Sequence, residues 1–311
     1  MGISGLLPLL KSIHKPCHIS EFAGQVVAVD AYVWLHRGII SCATDLALGR
    51  PTSRYVDYAM RRVKLLQGYG VKPYMVFDGG NLPSKRGVEV DRASKRNTAK
   101  EIAMRYYQSG DREKANEFFL KSIDVTPLMA LNLIKALEIA NVPFIVAPYE
   151  ADAQIAYLDK IGAVTAVISE DSDLLVFGVK CLLTKFSDYG DCIAVYRSRL
   201  KECLDIDFSS FSDTMFRHMV ILSGCDYTPG LRNIGLKRAH QLLKQYRTTD
   251  RAMQNLGIKG VTVPLGFRDD FVRADKTFLH QRVFCPMKND IVMWNEPSGT
   301  LSDEINYHIG S

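Results

Sequence analysis

The segment "AVTAVISEDSDLLVFG", residues 163–178, places a buried hydrophobic run directly before a group of acids. Residues 164–168 have the β-branched, apolar composition of a strand that is covered on both faces. Glu170, Asp171 and Asp173 follow within four positions. Two carboxylates about 4 Å apart repel by about 1 kcal/mol in water and about 4 kcal/mol at an effective dielectric of 20. A fold that brings these acids together therefore needs a positive charge beside them.

Three further segments resemble buried strands: "QVVAVD" (25–30), "PYMVFD" (73–78) and "PFIVAPYE" (143–150). A helical pattern follows each strand, and this alternation predicts an α/β fold with a mostly parallel central sheet flanked by helices. Ligands of such sheets bind at the carboxyl ends of the strands. The acids at or just past these ends are Asp30, Asp78, Glu150, Asp152, Asp171 and Asp173.

These acids have two interpretations. Taken singly, an Asp after a strand commonly caps the next helix. Taken together, the acids are doubled at two strand ends, which capping does not require, and oxygen ligands without nearby histidine or thiol indicate Mg²⁺ or Mn²⁺. Asp226, in "LSGCDYTPG", is either a turn residue or one more ligand from a second element. The whole set predicts a two-ion site that hydrolyses phosphodiesters.

The composition limits the class of protein. The chain has 311 residues, a net charge of +5 and seven scattered cysteines without a C-x-x-C pair. A disulfide framework and a zinc site are not indicated, which fits a reducing compartment. Residues 6–10 are too short for a membrane span and lack the basic region of a signal peptide. We expect a cytosolic or nuclear protein without a membrane segment.

A charged insert, roughly 84–140, is predicted to project over the sheet edge as one or two helices. Its bases form either a solvated helix face or a phosphate-binding surface. Lys85 follows Asp78 by only seven residues, so a phosphate held at the acids would lie within reach of Lys85 and Arg92. The bases of its first part are Lys85, Arg86, Arg92, Lys95, Arg96 and Lys100.

Residues 215–247 read as a helix, a turn with Gly and Pro, and a second helix. The part from 230 to 247 has five Lys or Arg and no acid. It is either a simple helix start or a surface that binds a nucleic-acid backbone, and the absence of acids favours the second interpretation. Tyr32 and His36 are candidates for base stacking, whereas Trp34 and Leu35 are predicted core residues.

Several motifs together resemble the flap-endonuclease-like structure-specific 5′ nucleases: "MGISGLLPLL", "VVAVDAYVWLHRG", "VFDGGNLPSKR", "VAPYEADAQIAYL", "SEDSDLLVFG" and "LSGCDYTPGLRNIGLKRA". The similarity covers nearly the whole chain. "YEADAQ" and "EDSDLL" favour the exonuclease branch, since flap endonucleases usually have Glu in place of Asp in the first motif and "D-x-D-C-L" in the second.

The resemblance implies a PIN-like 5′ nuclease core and a role for each matching residue. Lys85 and Arg92 match residues that steer the scissile phosphate, and Tyr32 and His36 match residues that line the frayed 5′ end. Gly2 matches the buried N-terminus beside the active site. The implied metal ligands are Asp30, Asp78, Glu150, Asp152, Asp171, Asp173 and Asp226. The implied DNA contacts are Lys95, Arg96, Lys121, Lys185, Arg232, Gly235, Lys237 and Arg238.

The resemblance also places a helix-two-turn-helix on residues 223–244, with Ser223 and Ile234 beside a potassium ion. Asn233 stands where the family commonly has glycine, and Asn tolerates left-handed backbone angles better than most residues. We expect one nuclease domain over 1–311. Its parts are an N-terminal region (1–99), a helical arch (84–140), an internal region (141–205), the helix-two-turn-helix (215–247) and a C-terminal wrap (248–311).

The implied activity is that of a Mg²⁺-dependent, two-metal 5′ to 3′ double-stranded DNA exonuclease with 5′ flap endonuclease activity, in which Mn²⁺ substitutes. Its substrates are duplexes with a nick, gap, recessed 5′ end or 5′ flap, and its setting is mismatch repair, end resection and recombination in the nucleus. We expect a monomer whose relatives recruit mismatch-repair proteins through long tails. Two alternatives remain: a flap endonuclease with little exonuclease activity, and a catalytically inactive DNA-junction-binding scaffold.

Overall fold

A seven-stranded sheet forms the centre of the computed structural model, which describes residues 2–258 and 262–310. The strands are β1 (Lys15–His18), β2 (Val26–Asp30), β3 (Lys72–Phe77), β4 (Phe144–Val146), β5 (Ala166–Ile168), β6 (Cys181–Thr184), β7 (Asp191–Tyr196), β8 (Arg282–Cys285) and β9 (Asp290–Met293). The sheet order is β1-β7-β6-β5-β2-β3-β4, and β8 pairs with β9 separately. The five strands from β6 to β4 are parallel, whereas β7 and β1 add an antiparallel edge. The predicted mostly parallel sheet is confirmed.

Helices cover both faces of this sheet. They are α1 (Leu6–Leu9), α2 (Ala31–Ile39), α3 (Ala43–Ala47), α4 (Arg54–Gly68), α5 (Arg86–Gln108), α6 (Arg112–Ser122), α7 (Pro127–Ile139), α8 (Ala151–Lys160), α9 (Asp173–Phe177), α10 (Asp213–Ser223), α11 (Leu236–Tyr246), α12 (Thr249–Ile258), α13 (Phe267–His280) and α14 (Asp303–His308). One core packs α8 and α10 on the sheet, and the other packs α2, α4 and α7. Within the described ranges, we find no helix with the length and hydropathy needed to cross a bilayer.

The charged insert forms two packed helices, α5 and α6, followed by α7. The stacked rings of Tyr106 and Phe118 join α5 to α6, with centroids 5.8 Å apart. Helix α5 buries only Ala99 and Ala103 among its 23 residues, because most of it stands clear of the sheet. A short 3-10 helix, Pro83–Lys85, connects it to the end of β3. The sequence predicted one or two projecting helices in this insert, and the structure has two, α5 and α6.

The predicted helix, turn and helix of residues 215–247 are α10 and α11. In the turn, the amide of Leu231 donates to the carbonyl of Leu222 at 2.9 Å. Asn233 has a φ of 61°, the left-handed conformation that its side chain tolerates. Gly235 then forms the N-cap of α11.

Helices α2 and α4 touch at Gly38, where a Cβ atom would lie 2.8 Å from the Cα of Tyr55. We expect Gly38→Ala to reduce the free energy of unfolding by about 1–3 kcal/mol, because this contact has no room for a methyl group. Gly68→Ala is the matched control. Gly68 is helical and exposed with no atom near its Cβ position, so alanine should stabilise by about 0.5–1 kcal/mol. Urea unfolding of both variants measures the difference, and equal effects would contradict the close packing.

Candidate active site

The sheet brings six of the seven predicted acids to one cavity of about 530 Å³ at the carboxyl ends of its strands. These six are Asp30, Asp78, Glu150, Asp152, Asp171 and Asp226. The seventh, Asp173, is the first residue of α9 and is 2% exposed. It is not among the residues that line the cavity, but its amide donates to Oδ1 of Asp171, which is, at 2.9 Å. Because four parallel strands and the α10–α11 turn supply these side chains, the fold itself sets their convergence.

Helix capping accounts for part of this arrangement. Asp30 Oδ1 accepts from the Val33 amide at 3.2 Å, and its Oδ2 accepts from Ser169 Oγ at 3.0 Å. Asp78 Oδ1 accepts from the amide of Ala151, the first residue of α8, at 2.7 Å. The capping interpretation is thus correct for Asp30, which caps the helix that follows its own strand, whereas Asp78 bonds the start of α8 rather than the next helix along the chain. Neither contact excludes a ligand role, since both side chains also line the cavity.

Gly2 lies against the Asp171 carboxylate. Its φ is 81°, and a Cβ atom there would overlap Asp171 Oδ1 and stand 2.7 Å from the Ser172 amide nitrogen. The next residue, Ile3, donates its amide to Ser172 Oγ at 2.8 Å. The N-terminal segment therefore supports the loop that carries Asp171, in the place that the family resemblance implied.

Glu170, the first acid of the group that defines the fold, is directed elsewhere. Its carboxylate accepts from Arg37 Nη2 at 2.7 Å, from Thr184 Oγ1 at 2.7 Å and from the Lys185 amide at 2.9 Å. Arg37 thus provides the positive charge that this acid needs. The crowding of Glu170, Asp171 and Asp173 in sequence is relieved in space by this separation.

Two bases of the insert reach the acids. The Lys85 ammonium pairs with Glu150 Oε1 and lies 3.2 Å from Asp226 Oδ2, while Arg92 Nη2 lies 3.0 Å from the same Asp226 oxygen. The Lys85 side chain is only 16% exposed, so a solvated helix face does not describe it. Burial raises the pKa of Asp226, but Lys85 and Arg92 outweigh burial and hold that pKa below its usual value.

When the remaining acids are ionised, they carry more negative charge than Lys85 and Arg92 neutralise, and burial together with this surplus raises the pKa values of four of them. Burial, and then the charge of Asp78, raise the pKa of Asp30 to about 7. Burial also raises the pKa of Asp78 to about 6, against the opposing hydrogen bond from the Ala151 amide. The pKa values of Asp152 and Asp173 are also raised well above the usual value, by burial and then by the charge of Asp171.

This surplus fits divalent cations. Asp173 Oδ1 is buried without a hydrogen-bond partner, and oxygen atoms of carboxylates are the ligands that Mg²⁺ and Mn²⁺ prefer. Across residues 2–258 and 262–310, however, no three His, Cys, Asp or Glu side chains are gathered in a metal-binding arrangement. The acids share the cavity, while the Lys85 ammonium occupies the space between Glu150 and Asp226. The carboxylate oxygens have the chemistry that would hold Mg²⁺ or Mn²⁺, and a cation at Glu150 and Asp226 would compete with Lys85 for them.

Tyr32 and His36, both on α2, are half-buried in the wall of the same cavity. Burial, together with the nearby Arg96 and Arg92, lowers the pKa of His36 despite the opposing charge of Asp124. A neutral imidazole offers a ring face for stacking. Trp34 and Leu35 are core residues, as predicted.

The predicted DNA contacts lie at several places. Arg96 lines the cavity and pairs with Asp124 at 2.9 Å. Lys185 is exposed, with a φ of 54°. Lys95 and Lys121 are exposed on the insert, paired with acids of their own helices. The exposed group at the turn and the start of α11 comprises Arg232, Gly235, Lys237 and Arg238. Ser223 ends α10, Ile234 is buried in the turn before α11, and their potassium role stays a prediction.

Tyr227 and Gln281, which both contact Glu150, were missed in the sequence. The Tyr227 hydroxyl donates to Glu150 Oε2 at 2.6 Å, and Gln281 Nε2 donates to the same oxygen at 2.8 Å. Tyr227 directly follows Asp226, so its position was a usable signal. Gln281 is 131 positions from Glu150, and no spacing in the sequence connects them.

Comparisons with known proteins identify the relatives of this chain. Residues 1–99 match the XPG N-terminal domain, and residues 141–226 match the XPG I-region. The DNA damage-inducible protein DIN7 of Saccharomyces cerevisiae is 40% identical over 95% of this chain and 69% of its own length. The chain belongs to the XPG nuclease family. Exonuclease 1 of Arabidopsis thaliana is 44% identical over 99% of this chain and 42% of its own length.

The family membership and the exonuclease 1 relatives confirm the branch that the two sequence motifs favoured. The chain spans about half the length of the curated relatives it matches first. Among solved structures, the catalytic core of Rad2 with a DNA substrate has a TM-score of 0.63 at 21% identity, covering 88% of this chain and 79% of that core. The junction-resolving enzyme GEN1 with product DNA and Mg²⁺ also has a TM-score of 0.63 at 21% identity, covering 92% and 66%. Both confirm the fold.

The raised pKa values predict how pH and metal affect stability. Because the pKa values of Asp30 and Asp78 are about 7 and about 6 in the fold and 3.8 for a free Asp side chain, the folded chain retains protons that the unfolded chain has released. Between about pH 4 and 7 these two groups therefore lower the free energy of unfolding as pH rises. Mg²⁺ binds the deprotonated acids, so its stabilisation should grow over the same interval.

Thermal melts in EDTA and in Mg²⁺, from pH 5 to pH 8, measure both effects. The control is the variant with Asp30→Asn and Asp78→Asn, in which the dependence on pH and on Mg²⁺ should be weaker than in the native chain. Identical profiles for the native chain and the variant would contradict the assignment of surplus charge to these acids.

Proposed function

We propose that this chain is a Mg²⁺-dependent 5′ to 3′ double-stranded DNA exonuclease domain that also cleaves 5′ flaps. One observation carries the proposal: six acids, from four strand ends and the α10–α11 turn, line one cavity that Lys85 and Arg92 enter from the insert. Hydrolysis of a phosphodiester needs both parts, since the acids hold cations and the bases neutralise the phosphate. The exonuclease 1 relatives support the same activity.

The proposed mechanism assigns a task to each part of the cavity. A pair of Mg²⁺ ions, when held by the seven acids, supplies activation of water and stabilisation of the leaving oxygen. Lys85 and Arg92 bind the scissile phosphate, and charge on that phosphate draws them away from Glu150 and Asp226. Tyr32 and His36 contact the frayed terminal nucleotide. Cleavage that releases a 3′ oxygen leaves a 5′-phosphate on the product.

The duplex outside the cavity is proposed to contact the exposed basic group of α11. Backbone amides and Lys or Arg at a helix start bind phosphate without reading sequence. Arg232, Lys237 and Arg238 have this placement, with Ser223 and Ile234 as the proposed potassium site in the turn before them. The proposed substrates are nicked, gapped, 5′-recessed and 5′-flapped duplexes, and the proposed setting is repair and recombination in the nucleus.

An inactive scaffold is the rival from another class. It is disfavoured because more acids are buried together than Lys85 and Arg92 can neutralise, which costs stability and has no use in a scaffold. A flap endonuclease with little exonuclease activity shares the whole cavity. The exonuclease 1 relatives favour the exonuclease, and cleavage of a nicked or 5′-recessed duplex distinguishes the two enzymes.

Asp173→Ala tests the proposal directly. We expect it to abolish cleavage of a labelled nicked or 5′-recessed duplex while DNA binding, measured in Ca²⁺, stays near the native value. Removal of a buried acid does not weaken attraction for phosphate. The matched control is Asp213→Ala, which removes an exposed acid that also begins a helix. Retention of a tenth of the native rate, a loss of only about 1.4 kcal/mol, would exclude a direct ligand role. Cleavage of flaps alone would favour the flap endonuclease.

Arg92 separates phosphate positioning from general charge. Arg92→Ala should reduce the single-turnover rate at saturating DNA by about ten- to a thousandfold, or about 1.4–4 kcal/mol, with a smaller change in the dissociation constant. Arg92→Lys keeps the charge but loses the planar fork, so it should restore binding fully and the rate only in part. Lys100→Ala, on the exposed side of the same helix, is the control for surface charge. A native saturating rate in Arg92→Ala would assign Arg92 to general charge.

A further inference from the structure

Helix α13 and the residue that follows it contact the site through one buried face. Thr277 and Gln281 are four residues apart, which places them on the same side of a helix, and both are fully buried. We propose that this face positions Glu150 and Lys85 relative to each other, through Gln281 and Thr277. The proposal deepens the proposed function and rests on it.

Gln281 fixes the orientation of the Glu150 carboxylate. Its Nε2 donates to Glu150 Oε2 at 2.8 Å and to the Tyr227 hydroxyl oxygen at 2.8 Å, while that hydroxyl donates to Glu150 Oε2 at 2.6 Å. Glu150 Oε2 thus accepts hydrogen bonds from two buried donors, the Tyr227 hydroxyl and Gln281 Nε2. Glu150 Oε1 faces Lys85 and remains the oxygen that a cation in the cavity would contact. Partners that orient a ligand in this way commonly control the affinity of the metal.

Thr277 fixes the segment that carries Lys85. Because Ser84 Oγ gives its one hydrogen to the His308 carbonyl, at 2.6 Å, Thr277 Oγ1 is the donor to Ser84 Oγ, at 2.9 Å. Ser84 competes for this hydrogen with the Arg273 carbonyl, which lies 2.8 Å from Thr277 Oγ1. Ser84 is the residue before Lys85. The base of the insert is therefore joined both to α13 and to α14, and the reach of the Lys85 ammonium into the cavity depends on this attachment.

Phe278, between these two polar residues, completes the face. Its ring packs edge-to-face on Tyr227 at 4.8 Å and on Phe177 of α9 at 5.1 Å. Gln281 thus contacts Glu150 itself, and Thr277 contacts the residue before Lys85. Phe278 contacts the residue after Asp226 and the helix that begins at Asp173. This helix lies outside both matched family segments, 1–99 and 141–226, so the C-terminal region supplies part of the site's geometry.

Gln281→Leu and Thr277→Val test the two attachments separately. Gln281→Leu approximately preserves the size of the side chain. It removes the Nε2 donor to Glu150 and Tyr227, while the Gln281 Oε1 that is also lost has no hydrogen-bond partner. We expect the Ca²⁺ dissociation constant, measured by calorimetry without DNA, to rise by about 10- to 100-fold. Thr277→Val should leave Ca²⁺ affinity unchanged and lower the single-turnover rate at saturating Mg²⁺ and DNA by about tenfold or more, because it acts on Lys85.

Two buried residues of the same types serve as controls. Gln154 is fully buried and bonds the backbone of Phe284, and Thr249 is buried against His218, away from the cavity. Gln154→Leu and Thr249→Val should keep native Ca²⁺ affinity and rate even where they lower the melting temperature. If Gln281→Leu is less stable than Gln154→Leu, Tyr227→Phe removes a donor to the same Glu150 oxygen and should weaken Ca²⁺ binding likewise.

The outcomes are distinct. Native Ca²⁺ affinity in both Gln281→Leu and Tyr227→Phe, or equal losses in Gln281→Leu and Gln154→Leu, would overturn the role of Gln281. A native rate in Thr277→Val would overturn the role of Thr277. If the native chain itself neither binds Ca²⁺ nor cleaves DNA with Mg²⁺, the proposed function fails instead, so the two failures are separable.

Discussion

The burial of like-charged carboxylates at one edge of a parallel sheet is the constraint on which the rest of this structure depends. Parallel strands end at the same edge, so acids placed after several strands must converge. Burial then makes their mutual repulsion stronger than it would be in water. Each neighbouring element, from the N-terminal segment to α13, is arranged around this charge.

The protein meets the charge in three ways. Glu170 is turned away and neutralised by Arg37. Glu150 and Asp226 are neutralised by Lys85, which the insert delivers. Within the described part of the chain, a third group has no paired cation: Asp30 and Asp78 accept hydrogen bonds, and Asp173 Oδ1 accepts none. The pKa values are raised for all members of this group, which are Asp30, Asp78, Asp152 and Asp173. Once deprotonated, the acids of this third group attract a cation from solution.

The sequence predicted the features that arise from local patterns. Buried runs followed by acids indicated β2, β3, β4 and β5 and the convergence of their ends, and Trp34 and Leu35 were assigned to the core. The antiparallel edge of β7 and β1 was not predicted, because Asp191–Tyr196 and Lys15–His18 are short and pair across most of the chain. Gln281 was missed for the same reason: its role depends on a contact with Glu150 that only the folded chain creates. Glu170 shows the converse, since adjacency in sequence did not mean a shared site.

The position of the Lys85 ammonium has a thermodynamic consequence. In this structure it pairs with Glu150 and Asp226, so a cation that binds these two acids must displace it. A phosphate that enters the cavity draws the same ammonium away from the acids. Once one ligand has moved Lys85, the other binds without the free-energy penalty of breaking these ion pairs. By linkage, each ligand therefore raises the affinity of the other. Metal and DNA should assemble on this site cooperatively, with one lysine as the coupling element.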